Sequence, residues 1–175
     1  MEHKVQQAEA MKGAKKRILE VAAQFAALTG REYGLFEAYR MEDAEIALVL
    51  IGSSAGTAKV TVDALRARGI PAGLVKIRVF RPFPAEELAQ TLKNVKALAI
   101  LDKAESFSAQ GGPLFAEVRA ALYDLEPRPR TVGYVYGLGG RDITPAHFAS
   151  VFARLEAIAA GGELGPVYSH LGQRG

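Results

Sequence analysis

The sequence predicts an α/β fold of three layers, a mostly parallel sheet with helices on both faces, preceded by a long amino-terminal helix. Apolar runs such as Ile46–Ile51 and Val95–Leu101, the second broken only by Lys96, have the pattern of strands buried on both sides, which parallel sheets require. Amphipathic helical stretches alternate with those runs, and glycine or proline marks nearly every junction. Strands alternating with helices imply right-handed crossovers within one sheet.

Residues 1–28 read as one helix, with Val5, Ala8, Ile18, Val21, Ala22, Phe25 and Leu28 recurring at spacings near three and four and Gly30 ending it. Its first half is polar and contains Gly13, so that half is expected to lean on something outside the domain. Arg31–Asp43 reads as an irregular connector that Tyr33, Phe36 and Tyr39 could pin to a core. The first predicted strand, 46–51, enters the turn Gly52-Ser53-Ser54-Ala55-Gly56-Thr57 and then a helix over 57–68 that Gly69 ends. A second strand spans 74–79. Pro82 and Pro84 stop it, and Pro84 suits the first turn of a helix reaching Leu92, with Glu86 and Glu87 at its positive end.

A third strand, 95–101, closes on Asp102, and a loop over 106–112 follows. Pro113 opens a helix whose Leu114, Val118, Ala121, Leu122 and Leu125 share one face. The fourth strand, 131–136, leads into Gly137-Leu138-Gly139-Gly140. Thr144-Pro145 caps a last helix with Phe148, Val151, Phe152, Leu155 and Ile158 as its buried stripe. The expected division is therefore 1–44 as helix and connector, 45–160 as the α/β domain and 161–175 as a flexible, glycine-rich tail.

With 49% hydrophobic residues the 175-residue chain can bury a sizeable core. The start lacks a signal peptide's apolar segment and no run approaches the roughly 18 residues of a membrane span, so a cytoplasmic protein without membrane contact is expected. Net charge is only +3, and the basic cluster Lys12, Lys15, Lys16 and Arg17 reads as a solvated helix face rather than a nucleic-acid patch. The absence of cysteine excludes disulfides, thiolate nucleophiles and thiolate-ligated zinc or iron–sulfur centres. His3, His147 and His170 have no ligand spacing, so no metal site is expected.

In open α/β sheets ligands sit outside the carboxyl ends of the strands. Four loops are expected there: Gly52–Thr57, Arg81–Pro84, Asp102–Gly112 and Gly137–Asp142. The first offers Gly52, Ser53, Ser54, Gly56 and Thr57 as possible anion contacts, since backbone amides and a helix dipole converge at such a turn. It lacks the ending of a nucleotide P-loop and the spacing of a dinucleotide fingerprint, so a helix-capping turn is the favoured reading and anion binding the minority one. Arg78 and Arg81 could fork onto a carboxylate or phosphate, pair with Asp102, or meet a neighbouring subunit. Asp102 and Glu105 are the one close pair of carboxylates on that edge, and they have no nearby histidine or hydroxyl in an evident triad. No residue is singled out as catalytic.

Four segments are specific in combination: Ile-Gly-Ser-Ser-Ala-Gly-Thr-Ala-Lys (51–59), Val-Lys-Ile-Arg-Val-Phe-Arg-Pro-Phe-Pro (75–84), Leu-Asp-Lys-Ala-Glu-Ser-Phe (101–107) and Tyr-Gly-Leu-Gly-Gly-Arg-Asp-Ile-Thr-Pro (136–145). Their order and spacing resemble the carboxyl-terminal domain of the alpha subunit of pyruvate:ferredoxin oxidoreductase and, more generally, of 2-oxoacid:ferredoxin oxidoreductases. The resemblance covers roughly residues 18–160 and includes Thr-Gly-Arg-Glu-Tyr at 29–33. It marks Gly52, Ser53, Gly56, Thr57, Arg78, Arg81, Pro82 and Asp102 as signature residues, with Gly139, Gly140 and Arg141 in the last motif.

Such enzymes decarboxylate a 2-oxoacid oxidatively on thiamine diphosphate, pass electrons through iron–sulfur clusters to ferredoxin and capture the acyl group on coenzyme A. The matching domain is similar to the carboxyl-terminal domain of transketolases, which packs against cofactor-binding domains and builds subunit contacts. The resemblance implies an assembly domain without turnover of its own, in an oligomer whose other domains or subunits hold thiamine diphosphate, magnesium and the clusters. The alternative is a stand-alone module that binds a phosphate group or coenzyme A at Gly52–Thr57.

Overall fold

The computed structural model describes residues 1–107 and 110–173. In chain order the elements are α1 (Glu2–Thr29), β1 (Phe36–Tyr39), β2 (Ile46–Ile51), α2 (Ser54–Arg66), β3 (Ala72–Ile77), α3 (Ala85–Leu92), β4 (Ala97–Asp102), α4 (Pro113–Leu122), β5 (Arg130–Tyr136), a single 3-10 turn (Leu138–Gly140), α5 (Pro145–Ala159) and β6 (Tyr168–Leu171). The six strands lie in the order β1-β3-β2-β4-β5-β6. All neighbours are parallel except β1, which runs antiparallel to β3 with Phe36 opposite Ile77.

The two sides of the sheet explain the apolar runs. Leu48 and Leu50 of β2, with Leu74, Leu101, Val132 and Tyr134, pack against Val62 and Leu65 of α2 and Phe148, Phe152 and Leu155 of α5. Their neighbours Ala47 and Val49, with Val75, Leu98 and Ile100, face Leu88 and Leu92 of α3 and Leu114, Phe115 and Val118 of α4. Successive strand side chains point to opposite faces, so a strand covered on both must be apolar throughout. Each large side chain taken fully out of water contributes about 1.5–3 kcal/mol.

Several boundaries differ from those the sequence predicts. The second predicted strand, 74–79, lies at Ala72–Ile77, because the amides of Arg78 and Val79 turn away to the Leu35 carbonyl at 3.0 and 2.9 Å. Helix α2 starts three residues before the predicted position: Gly52 alone, at φ 94°, reverses the chain, and Ser53 is already helical. The helix predicted to run to Leu125 ends at Leu122.

Two strands were hidden in segments expected to be irregular. The connector contains β1, held on the sheet by Glu37, whose carboxylate pairs with Lys59 of α2 and with Arg78 at 2.9 Å. The stretch expected to hang as a tail after Gly161 contains β6, which pairs with β5 from Gly133–Tyr168 to Tyr136–Leu171. The last part of that expected tail, residues 174–175, lies outside the described residues, as do 108–109 of the predicted 106–112 loop.

Helix α1 buries none of its side chains. Lys15 reaches Glu87 of α3 at 2.6 Å and Glu86 at 3.6 Å, while Phe25 stacks 5.7 Å from Tyr33. The rest of its basic cluster is also neutralised, Lys12 by Glu9 at 2.6 Å, and Lys16 and Arg17 by Glu20 at 3.9 and 2.7 Å. Those pairs fit the solvated-face reading of this cluster.

Candidate functional site at the carboxyl edge of the sheet

Because β2, β3, β4, β5 and β6 are parallel, the segments that follow them all emerge on one edge. The Gly52–Thr57 turn, Arg81–Pro84, the segment beginning at Lys103 and Gly137–Asp142 therefore share that edge. The sequence brings them together; the structure decides what each side chain does there.

At the first turn, the amide of Ala55 donates to the Gly52 carbonyl at 3.4 Å and that of Gly56 to the Ser53 carbonyl at 3.0 Å. Two of the amides an anion would need are thus already engaged within the backbone. Ser53 makes no side-chain cap. Ser54 is buried beside the Tyr136 phenol, and burial raises that phenol's pKa, with the Ser54 hydroxyl acting against it and the Asp102 charge adding to it. Tyr136 Oη makes no hydrogen bond among the described residues. No side chain or backbone outside the helix itself lies within 4 Å of where a Cβ on Gly56 would stand.

Neither arginine of the second loop pairs with Asp102. Arg78 donates to Glu37 and stacks on the Tyr33 ring at 4.9 Å, fastening the connector to the sheet. Arg81 donates to Glu117 of α4 at 2.5 Å and to the Phe80 carbonyl at 2.8 Å, and its guanidinium lies 4.3 Å from the centre of the Phe80 ring. Pro82 follows it through a cis peptide bond.

Asp102 closes β4 and is buried. Its Oδ1 accepts the Leu114 amide at 2.8 Å and its Oδ2 the Phe115 amide at 3.0 Å, so the carboxylate caps the start of α4 from twelve residues away. Burial pushes its pKa up, and the two amide hydrogen bonds hold it back. A side chain on Gly112 would collide with this carboxyl group, which explains the second glycine of Gly111-Gly112-Pro113.

The last loop places Gly137, Gly139 and Gly140 at φ 67°, 63° and 74°. Arg141 donates from Nη1 to the Gly172 carbonyl at 2.5 Å, linking this loop to the end of β6. Beside it, His170 Nε2 meets Glu105 Oε2 at 2.8 Å, and the Tyr168 hydroxyl donates to Glu105 at 3.4 Å. Burial, followed by the Glu105 and Asp102 charges, pushes the Tyr168 phenol up to about 12, so it stays a donor across the physiological range. A cavity of about 300 Å³ opens between Gly137–Leu138 and Gly172–Gln173, with Arg141 and His170 on its walls. Sequence reasoning placed Lys103 here only as part of the Asp102–Gly112 loop, and it did not place Glu117 or His170 in this region. The short alternation Tyr-Ser-His-Leu at 168–171, bounded by Pro166 and Gly172, is the signal that could have revealed β6 and with it His170.

The donor set does not suit a metal centre. The sequence contains no cysteine, and among the described residues no group of three or more histidine, aspartate or glutamate side chains converges. No helix among the described residues is long and apolar enough to cross a membrane.

Residues 44–148 match the family model described as pyruvate:ferredoxin oxidoreductase core domain II. The pyruvate synthase subunit PorA of Thermotoga maritima is 48% identical over 151 residues, covering 86% of this chain and 38% of that relative. The pyruvate synthase subunit PorA of Methanothermobacter thermautotrophicus is 46% identical over 156 residues, or 89% and 39%. The ketoisovalerate oxidoreductase subunit VorA of Pyrococcus horikoshii is 40% identical over 158 residues, or 90% and 40%. This chain thus spans well under half the length of these curated relatives. Among solved structures, 2-oxoglutarate:ferredoxin oxidoreductase from Magnetococcus marinus, with 2-oxoglutarate, coenzyme A and succinyl-CoA bound, superposes with a TM-score of 0.51 at 20% identity, covering 78% of this chain and 21% of that one. At that identity the likeness is one of fold. The family model covers more than half of the sequence, and the chain belongs to the pyruvate:ferredoxin oxidoreductase core domain II family.

Proposed function

We propose that this chain is an assembly domain of a 2-oxoacid:ferredoxin oxidoreductase, with pyruvate as the 2-oxoacid favoured by its relatives' names. The whole enzyme would decarboxylate its substrate oxidatively, transfer the acyl group to coenzyme A and pass electrons to ferredoxin. The sequence has no cysteine and the described residues offer no converging group of carboxylates or histidines, so they do not fit an iron–sulfur cluster or a magnesium-bound thiamine diphosphate. Those groups belong, in this reading, to other domains or subunits of a cytoplasmic oligomer.

The observation that carries the reading is the apolar character of the carboxyl edge. Ile51 at the end of β2 is 40% exposed, Phe107 after β4 is 96% exposed and Leu138 after β5 is 44% exposed. Large apolar side chains exposed at or beyond the ends of three adjacent strands suit a protein interface better than a solvated surface. Three carboxylates there have structural duties: Asp102 caps α4, Glu117 holds Arg81 and Glu105 holds His170. The signature residues Arg78, Arg81, Pro82 and Asp102 would then shape the edge rather than react on it. Helix α1 adds a second apolar face, with Val21, Phe25 and Leu28 exposed.

Affinity purification of the tagged chain from its native extract tests this. The expected result is stoichiometric recovery of the other subunits of the oxidoreductase. Recovery of the chain alone, or pyruvate decarboxylation by the isolated chain with added thiamine diphosphate, would overturn the assembly role.

A further inference from the structure

We propose that the cavity between the β5–α5 loop and the end of β6 binds a small oxyanion, a phosphate ester or a carboxylate, through Arg141 and Lys103. This goes beyond the assembly role and does not use the Gly52–Thr57 turn.

Arg141 is the one lysine or arginine that lines the cavity, and Lys103 lies against its lining residues Tyr136 and Gly137. Lys59, Arg66, Arg78 and Arg81 each pair with a carboxylate. Among the described residues neither Lys103 nor Arg141 has a carboxylate within ion-pair distance. Arg141 spends Nη1 on the Gly172 carbonyl, which fixes the guanidinium on the cavity wall and leaves the rest of its fork of donors uncommitted by any hydrogen bond among the described residues. A fixed, planar fork is the side-chain geometry that suits a two-oxygen contact with phosphate or carboxylate.

Lys103 approaches the same loop from β4. Its stem lies so close that a Cβ on Gly137 would stand 2.7 Å from Lys103 Cε, and its ammonium sits 5.7 Å from the centre of the Tyr136 ring. The glycine at 137 therefore makes room for a lysine beside Tyr136 and Gly137, two of the residues that line the cavity. At Gly139 and Gly140 nothing lies within 4 Å of a built Cβ, so the approach past this loop is open.

The surrounding groups do not cancel this charge. Glu105, which reaches the cavity-lining His170, is occupied by His170 and Tyr168. Asp102 is buried against the α4 amides, and Asp142 forms no ion pair among the described residues. The start of α5 is closed by its own capping box, in which the Thr144 amide donates to His147 Nδ1 at 3.1 Å, so the side-chain cations rather than a helix end would hold the anion. A volume of about 300 Å³ is at the small end of ligand sites and suits an anionic head group with few further atoms.

Inorganic phosphate and, separately, acetate titrated into the isotope-labelled full chain test the proposal, with chloride at equal ionic strength as control. The amide resonances of Gly137, Gly139 and Gly140 should shift saturably, and the apparent affinity should fall about tenfold in Arg141→Gln and in Lys103→Gln. Saturation by phosphate alone identifies a phosphate ester as the ligand class, and saturation by acetate a carboxylate. No saturable shift with either anion, or affinities unchanged in both variants, overturns the site. Should Arg141→Gln fail to fold, the exposed Lys103 still permits the measurement. Co-purification reads the assembly role separately, so either reading can fail without the other.

Discussion

Asp102 and Phe115 are joined by a hydrogen bond of 3.0 Å from the Phe115 amide to Asp102 Oδ2, and the Leu114 amide meets the other oxygen at 2.8 Å. An aspartate at the tip of a parallel strand, with glycine loops around it, invites a catalytic reading. Here it supplies the acceptors that α4 lacks at its first turn. Asp102→Ala should cost about 2–3 kcal/mol, since two buried amides lose a charged acceptor at once. Gly112→Ala should destabilise comparably by driving a methyl group into the same carboxyl. Denaturant midpoints at unchanged slope would check both. A near-neutral Asp102→Ala would remove the capping role.

Glu37 gives the fold a predictable acid sensitivity. The Lys59 hydrogen bond lowers its pKa below the ordinary glutamate value of 4.5, against the effect of burial, and the charges of Lys59, Arg78 and Lys76 add to the lowering. A carboxylate whose folded pKa is depressed contributes stability that is present above its unfolded pKa and is lost as pH falls through the folded one. Melting temperature should therefore decline below about pH 4.5 in the native chain. In Glu37→Gln the decline should be shallower, from a lower starting value at neutral pH. Parallel melting curves of the two proteins would remove Glu37 from the account.

How much of this was legible in the sequence follows from how each element is held. β2, β4 and β5 are specified by burial on both faces, and an unbroken run such as Ile46–Ile51 can satisfy that requirement as a strand. β1 and β6 are edge strands of four residues each, with partly exposed side chains, so neither has the apolar run that reveals a strand. Their places are set by long-range pairs, Glu37 with Arg78 and Arg141 with Gly172, which no local pattern encodes. The carboxyl edge was readable because parallel strands put their loops on one side. The partners of Arg81 and Asp102 were not, because both lie on α4, and helix phase against the sheet is a tertiary outcome.

Exposure separates two phenylalanines by role. Phe152 is wholly buried between α5 and the sheet, whereas Phe107 is almost fully exposed. Phe152→Ala should cost about 3–5 kcal/mol of stability. Phe107→Ser should change stability by no more than about 0.5 kcal/mol yet reduce recovery of partner subunits in affinity purification. Equal recovery with Phe107→Ser, Ile51→Ser and Leu138→Ser combined would place the docking face elsewhere.

The two glycines of the Gly52–Thr57 turn should respond with opposite signs. Gly52 stands at φ 94°, in a region closed to side chains, and it alone reverses the chain between β2 and α2. Gly52→Ala should therefore destabilise by about 1–2 kcal/mol. Gly56 lies within α2 with free space where a methyl group would go. Gly56→Ala should stabilise by about 0.5–1 kcal/mol, because alanine has less chain entropy to lose and the higher helix propensity. A turn that serves only to start a helix requires this asymmetry. An anion cradle needs bare backbone at both positions, so a Gly56→Ala protein that melts higher but loses recovery of partner subunits would show that the turn meets a ligand or partner after all.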